Sequence, residues 1–131
     1  MLKFRQLPVL YAILRLAPNT TIPDWATRGD FTSITRTAEE LSIICPANDV
    51  PAGIDPGLRW ICLKLEGPFA FSQTGILLSF LAPLSENGIP ILAISTYDTD
   101  YVLVQEKYAD AASRSLGDAG HALVGSAGAP P

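Results

Sequence analysis

Two short stretches carry residue types that can hold a small charged molecule. The first is Phe69-Ala70-Phe71-Ser72-Gln73-Thr74-Gly75-Ile76, which ends one apolar run and opens into another with helical spacing. Small polar residues at a helix mouth leave backbone N–H groups free, at the positive end of the helix dipole. That setting suits a carboxylate. The second stretch is Ser95-Thr96-Tyr97-Asp98-Thr99-Asp100-Tyr101-Val102-Leu103-Val104. Its carboxylates, Asp98 and Asp100, can receive an ammonium group. A carboxylate holder and an ammonium holder together describe a site for a zwitterion such as an amino acid. The same residues also have plainer uses. Thr74 or Ser72 can cap the helix, and Asp98 can shape its turn.

Other chemistry finds less support. Two carboxylates in one turn can do acid–base work or bind a metal, but no further acidic ligands stand nearby in sequence, which argues against calcium. Ser72 lacks the Gly-x-Ser-x-Gly setting of an activated nucleophile. The single histidine, His121, lies near an end expected to be poorly ordered and cannot build a histidine metal cluster. No metal site and no cofactor are expected. Cys45 and Cys62 sit in apolar runs without metal or redox spacing, so they read as free, buried thiols. Trp60 reads as core or edge packing, and Tyr97 and Tyr101 as brackets around the acidic turn. Gly75 reads as a point of close approach to a neighbour or ligand.

The composition is globular, with 48% hydrophobic and 17% charged residues in a chain of 131. That length suits one ordinary domain, or two very small ones sharing a core. A net charge of -4 excludes a basic face for a phosphate backbone, so no nucleic-acid partner is expected. Lys3 and Arg5 precede an apolar run over 7–14, but Arg15 interrupts it and no small-residue cleavage site follows. The run reads as a strand rather than a signal peptide. Nothing reaches membrane-spanning length, and the cytoplasm is the expected location.

The elements that must position the two stretches follow from periodicity. Residues 10–16 alternate as a strand with one buried face. Residues 17–30 form a loop with a helical turn around Pro23-Asp24-Trp25. Residues 31–37 and 41–45 flank Ala38-Glu39-Glu40. Thr37 and Glu40 have capping-box spacing, yet the following β-branched run stops at Pro46, so a hairpin is expected. Residues 46–58 hold three prolines and two glycines and read as a linker. Beyond it come a strand over 59–65, a helix from Ile76 closed by Asn87-Gly88 with Pro83 inside, and a strand over 89–96. Then follow a turn over 97–100, a strand over 101–104, a helix over 108–116 and a short strand over 121–124. This is the β-α-β-β-α-β order of a split βαβ unit.

The residues narrow that topology. Ile94-Ser95-Thr96-Tyr97-Asp98-Thr99-Asp100-Tyr101-Val102-Leu103-Val104 resembles the signature of the ACT-domain subfamily that includes the cytosolic arginine sensors of the CASTOR type and small bacterial proteins. Three further segments agree: Phe71-Ser72-Gln73-Thr74-Gly75-Ile76, Pro83-Leu84-Ser85-Glu86-Asn87-Gly88-Ile89 and Phe31-Thr32-Ser33-Ile34-Thr35-Arg36-Thr37-Ala38-Glu39-Glu40-Leu41-Ser42. The resemblance runs over residues 9–124 and is more specific in the C-terminal half. It implies tandem ACT units, which are regulatory modules that bind amino acids and other small ligands. It further implies a ligand lying between ACT units, against Ala70, Ser72, Gln73, Thr74 and Gly75, with Asp100 across from them. Thr96 and Asp98 complete the candidate set. In the arginine sensors the ligand-reading loop is acidic. Here Ser72-Gln73-Thr74 is neutral, so the resemblance points to a neutral amino acid rather than arginine.

The expected protein is therefore an α+β chain of two ferredoxin-like ACT units, with antiparallel sheets and helices on one face. Residues 1–57 form an abbreviated first unit, 58–124 the C-terminal ACT domain, and 125–131 a flexible tail. The expected function is non-enzymatic binding and sensing of a small molecule, an amino acid foremost. The alternative is an interaction module of the same fold with no physiological ligand. A homodimer is expected, because the N-terminal half lacks helices to cover its strands.

Overall fold

The computed structural model describes residues 1–70 and 73–125. In chain order its elements are β1 (Lys3–Gln6), β2 (Tyr11–Leu16), β3 (Ser33–Arg36), β4 (Leu41–Pro46), β5 (Trp60–Leu65), α1 (Ile76–Glu86), β6 (Ile91–Ser95), β7 (Asp100–Gln105), α2 (Ala109–Asp118) and β8 (Ala122–Leu123). The chain forms two compact units. One joins Met1–Pro8 to the residues from Ile61 onward, and the other is Val9–Trp60. No helix among the described residues is long and apolar enough to cross a membrane.

The smaller unit is a hairpin, β3-β4, with β2 added on the far side of β4. Strand β4 lies between β3 and β2 and runs antiparallel to both, with Leu16 opposite Leu41 and Arg36 opposite Leu41 across the other edge. Its core gathers Ala12, Leu14, Leu41, Ile43, Cys45 and Ala47 around Ala26 of the expected helical turn, a 3-10 turn over Asp24–Thr27. The hairpin expected over 31–45 is present. The Thr37 hydroxyl oxygen accepts the backbone N–H groups of Glu39 and Glu40, each at 3.1 Å. Capping chemistry thus closes a turn here, because Pro46 and the β-branched residues leave too little chain for a helix.

The larger unit has the ferredoxin-like order β5-α1-β6-β7-α2-β8, with β7 between β5 and β6. A strand that the sequence does not announce, β1, lies between β5 and β8, antiparallel to the first and parallel to the second. The expected first unit began at residue 1. In the structure Met1–Pro8 group instead with the larger unit, because Phe4 is buried there with its ring edge-on to Phe80 of α1, 5.2 Å between centroids. Helices α1 and α2 pack on each other, α1 also on β6 and α2 on β7 and β8. The end of α1 is closed by the Gly88 N–H returning to the Ser85 carbonyl and the Ile89 N–H to Leu84, a paired C-terminal cap. Pro83 stands buried within this helix.

His121 is part of this core and not of a loose end. It is 7% exposed, accepts the Leu2 N–H at Nδ1 (3.1 Å), and donates from Nε2 to the Ser79 carbonyl (2.9 Å). Both cysteines are free and buried. Burial pushes the Cys62 thiol up to about 12, and burial with the nearby Asp49 carboxylate pushes Cys45 up to about 11. Of the expected tail, residues 126–131 lie outside the described residues.

Candidate functional site

Strand β5 ends at Leu65, and the chain then runs Glu66-Gly67-Pro68-Phe69-Ala70 before opening into α1. This loop packs on the turn between β6 and β7. The Phe69 N–H donates to the Asp98 carbonyl at 2.9 Å, and the Thr99 hydroxyl donates to the Leu65 carbonyl at 2.8 Å. Thr99 is buried as a result. The close approach expected at Gly75 occurs at Gly67, where an added Cβ would stand 2.9 Å from the Asp98 carbonyl oxygen. At Gly75 an added Cβ would meet nothing within 4 Å, but φ is +76° and the residue is the N-cap of α1. Glycine is needed there for the left-handed backbone that turns the loop into the helix. Gly75→Ala is therefore expected to lose about 1–2 kcal/mol through backbone strain alone. Urea unfolding identical to the parent would refute that account.

The acidic turn is tightly hydrogen-bonded. The Thr96 N–H donates to the Thr99 carbonyl at 2.8 Å, and the Thr96 hydroxyl also reaches that carbonyl at 3.1 Å. Asp100, first residue of β7, stands opposite Ser95, last residue of β6. Its carboxylate accepts the Ser95 hydroxyl. That bond uses one lone pair of several, and the remaining acceptor capacity of the carboxylate is open to a ligand. Behind the turn, burial together with the charges of Cys62 and Asp98 pushes the Tyr101 phenol up.

The first turn of α1 has N–H groups with no partner inside the helix. The first intrahelical bond runs from the Ser79 N–H to the Gly75 carbonyl at 3.0 Å, so the N–H groups of residues 76–78 precede the helical ladder. The Ala70 N–H is held by the Gln73 side-chain oxygen at 2.7 Å, which fixes the loop before the helix.

These parts line an open cavity of about 280 Å³. Of the candidate residues, Ala70, Gln73, Gly75, Thr96, Asp98 and Asp100 line it. Thr74 is exposed and is not on its wall. Ser72 lies outside the described residues. The cavity also has walls that sequence reasoning missed: Phe69, Ile76, Leu77, Leu78, Ser95, Tyr97 and Thr99. Two of them, Leu78 at 70% and Tyr97 at 81% exposure, are large apolar surfaces open at the rim. The cavity is lined by residues of the helix start, by the two acidic residues of the turn, Asp98 and Asp100, and by the exposed Leu78 and Tyr97. Among the described residues no group of His, Cys, Asp and Glu is placed to hold a metal ion.

A family model described as the ACT domain matches residues 57–118, the segment that carries this cavity, and a second model, of an N-terminal domain, matches residues 10–53. The crystal structure of an Agobacterium tumefaciens protein is 46% identical in sequence, with a TM-score of 0.85, and the match covers 94% of this chain and 92% of that one. Residues 57–118 belong to the ACT-domain family. The curated relatives that it resembles include CASTOR-type proteins. The cytosolic arginine sensor for mTORC1 subunit 1 of Bos taurus is 38% identical over 53 residues, covering 37% of this chain and 16% of that protein. The Homo sapiens protein CASTOR3P is 32% identical over 94 residues, covering 62% of this chain and 58% of that protein. The chain thus spans less than two thirds of the length of either curated relative. What membership in the ACT family carries is a regulatory role of the ACT kind.

Proposed function

We propose that this ACT protein binds a free amino acid, without chemically changing it, in the cavity between the mouth of α1 and the β6–β7 turn. One observation carries the reading. The two stretches whose chemistry suits the two ends of a zwitterion line one cavity together. The ligand carboxylate takes the N–H groups of the first turn of α1, where the helix dipole favours it. The ligand ammonium takes Asp100, with Asp98 and Thr96 beside it. Gln73 holds the loop that frames the helix mouth, and Ala70 and Gly75 supply its backbone. Thr74 and Ser72 flank Gln73 in sequence and complete the proposed set. A ligand that ties the loop to the turn favours conformations in which the two stay together, and that population shift is the regulatory signal. The chain acts in the cytoplasm on this reading, as the bovine relative's name states of that protein.

A thermal-shift screen against the twenty common amino acids, followed by calorimetric titration, tests the proposal. Native-state binding at a hundred times Kd stabilises by about 2.7 kcal/mol, well within detection. No shift with any of the twenty would refute it.

The proposal includes self-association. Strand β6 is an edge, pairing among the described residues only with β7, and Ile91-Leu92-Ala93-Ile94 carries no charge to block a further strand. A second copy can add there in the self-complementary antiparallel manner of a two-fold dimer. Light scattering at high micromolar concentration is expected to give the mass of two chains. A monomer at that concentration would rule this out.

A further inference from the structure

We propose that Leu78 sets the class of ligand side chain, and that the site takes an α-amino acid with a bulky apolar side chain. The inference rests on the amino-acid reading above and adds to it the occupant of a neighbouring groove. Leu78 is the residue shared by two hollows. It lines the 280 Å³ cavity at the helix mouth, and it opens a groove of about 450 Å³ walled by Leu78, Leu81, Ala82, Ser85, Glu86 and Ile91. Positions 78, 81, 82 and 85 fall on one face of α1, at the spacing of helix neighbours. The groove therefore adjoins the cavity at Leu78 and follows the helix beside Ile91, the first residue of β6.

A ligand whose carboxylate lies at the helix mouth can extend its side chain over Leu78 onto Leu81, Ala82 and Ile91. This part of the wall is apolar. Glu86, the charged residue of the groove, stands about 12 Å along the helix axis from Leu78. The end of a lysine or arginine side chain anchored at the helix mouth would lie on leucine, short of that carboxylate. A leucine or phenylalanine side chain buries apolar surface on both sides, including that of the exposed Leu78.

Calorimetric titration with glycine, alanine, leucine, phenylalanine and arginine tests this on the full chain. Leucine or phenylalanine is expected to bind roughly tenfold tighter than alanine or more, from the added buried carbons. Arginine is expected to bind no tighter than alanine. Leu78→Ser, at an exposed position, is expected to keep the parent's melting point, to weaken leucine roughly tenfold and to weaken alanine by less. Equal affinity for alanine and leucine, or strongest binding of arginine, would overturn the inference and leave the amino-acid reading standing. Loss of self-association in Leu78→Ser with unchanged preference among amino acids would also overturn it and give the groove to a second copy. Absence of binding by all five would overturn the inference, and the amino-acid reading would then rest on the screen of all twenty.

Discussion

Asp100→Asn is expected to weaken amino-acid binding roughly ten- to a hundredfold, the effect of losing a charge-assisted hydrogen bond worth about 1.5–3 kcal/mol. The argument turns on what the carboxylate already does. Asp100 sits opposite Ser95 at the last pair of the β6–β7 ladder and accepts the Ser95 hydroxyl. Asparagine keeps a carbonyl oxygen that can accept the same hydroxyl, so the ladder and turn should survive. It loses the negative charge and places an N–H₂ group where an ammonium would come. The expected result is therefore an affinity loss with a melting point, in the absence of ligand, close to the parent's. Calorimetric titration of both proteins with the amino acid that binds the parent most tightly is the measurement. Were Asp100 only a turn residue, the variant would melt slightly lower and bind as well as the parent. Equal affinities would move the ammonium contact away from Asp100. The same substitution at Asp98 is expected to do less, because Asp98 is solvent-exposed while Asp100 is half-buried beside the helix mouth.

The site was legible in the sequence to the extent that its chemistry is local. The polar loop at a helix mouth and the acidic turn each announce themselves over a few residues, and the structure lines one cavity with both. The apolar part of the wall was not legible. Leu78 at helical spacing reads as core, and only the three-dimensional fold leaves it 70% exposed. Gly75 was recognised as special, and the reason visible in the structure is its left-handed backbone, not a crowded protein neighbour. Close approach and left-handed backbone both select glycine, and a sequence cannot separate them. The close approach belongs to Gly67, against a carbonyl 31 residues away in the chain. In the fold, the helix from Ile76, the β6–β7 hairpin and the 31–45 hairpin were readable because period, turn residues and Pro46 all act within ten residues or so. Strand β1 was not. Lys3-Phe4-Arg5-Gln6 holds one apolar residue in four and has no period to detect. What makes it a strand is the burial of Phe4 against Phe80 and the pairing of both its edges, contacts more than fifty residues distant.

His121 ties the residue before β1 to the helix α1, and His121→Phe is expected to lower unfolding free energy by about 2–4 kcal/mol, the cost of leaving two partly buried backbone groups unpaired. Phenylalanine is the informative replacement because it keeps an aromatic ring beside Phe80, now 5.3 Å from the imidazole centroid, and removes only the hydrogen bonds. With Nδ1 accepting the Leu2 N–H and Nε2 donating to the Ser79 carbonyl, the imidazole is the neutral Nε2–H form and both its nitrogens are used. The two bonds tie the segment before β1 to the first turn of α1. Alongside them the Ala122 N–H donates to the Leu2 carbonyl and the Val124 N–H to Phe4, at 2.9 and 2.8 Å. Ser79 is the residue whose N–H closes the first turn on Gly75 and whose hydroxyl donates to the Ile76 carbonyl. Releasing its carbonyl therefore loosens the same turn that is proposed to hold the ligand carboxylate. The expected pattern is a large loss of stability in urea unfolding with a smaller loss of amino-acid affinity, the reverse of Asp100→Asn. An unfolding free energy equal to the parent's would mean that water replaces the imidazole at both backbone groups and that ring packing alone fixes β1. Tenfold weaker binding without destabilisation would instead place His121 in the ligand site.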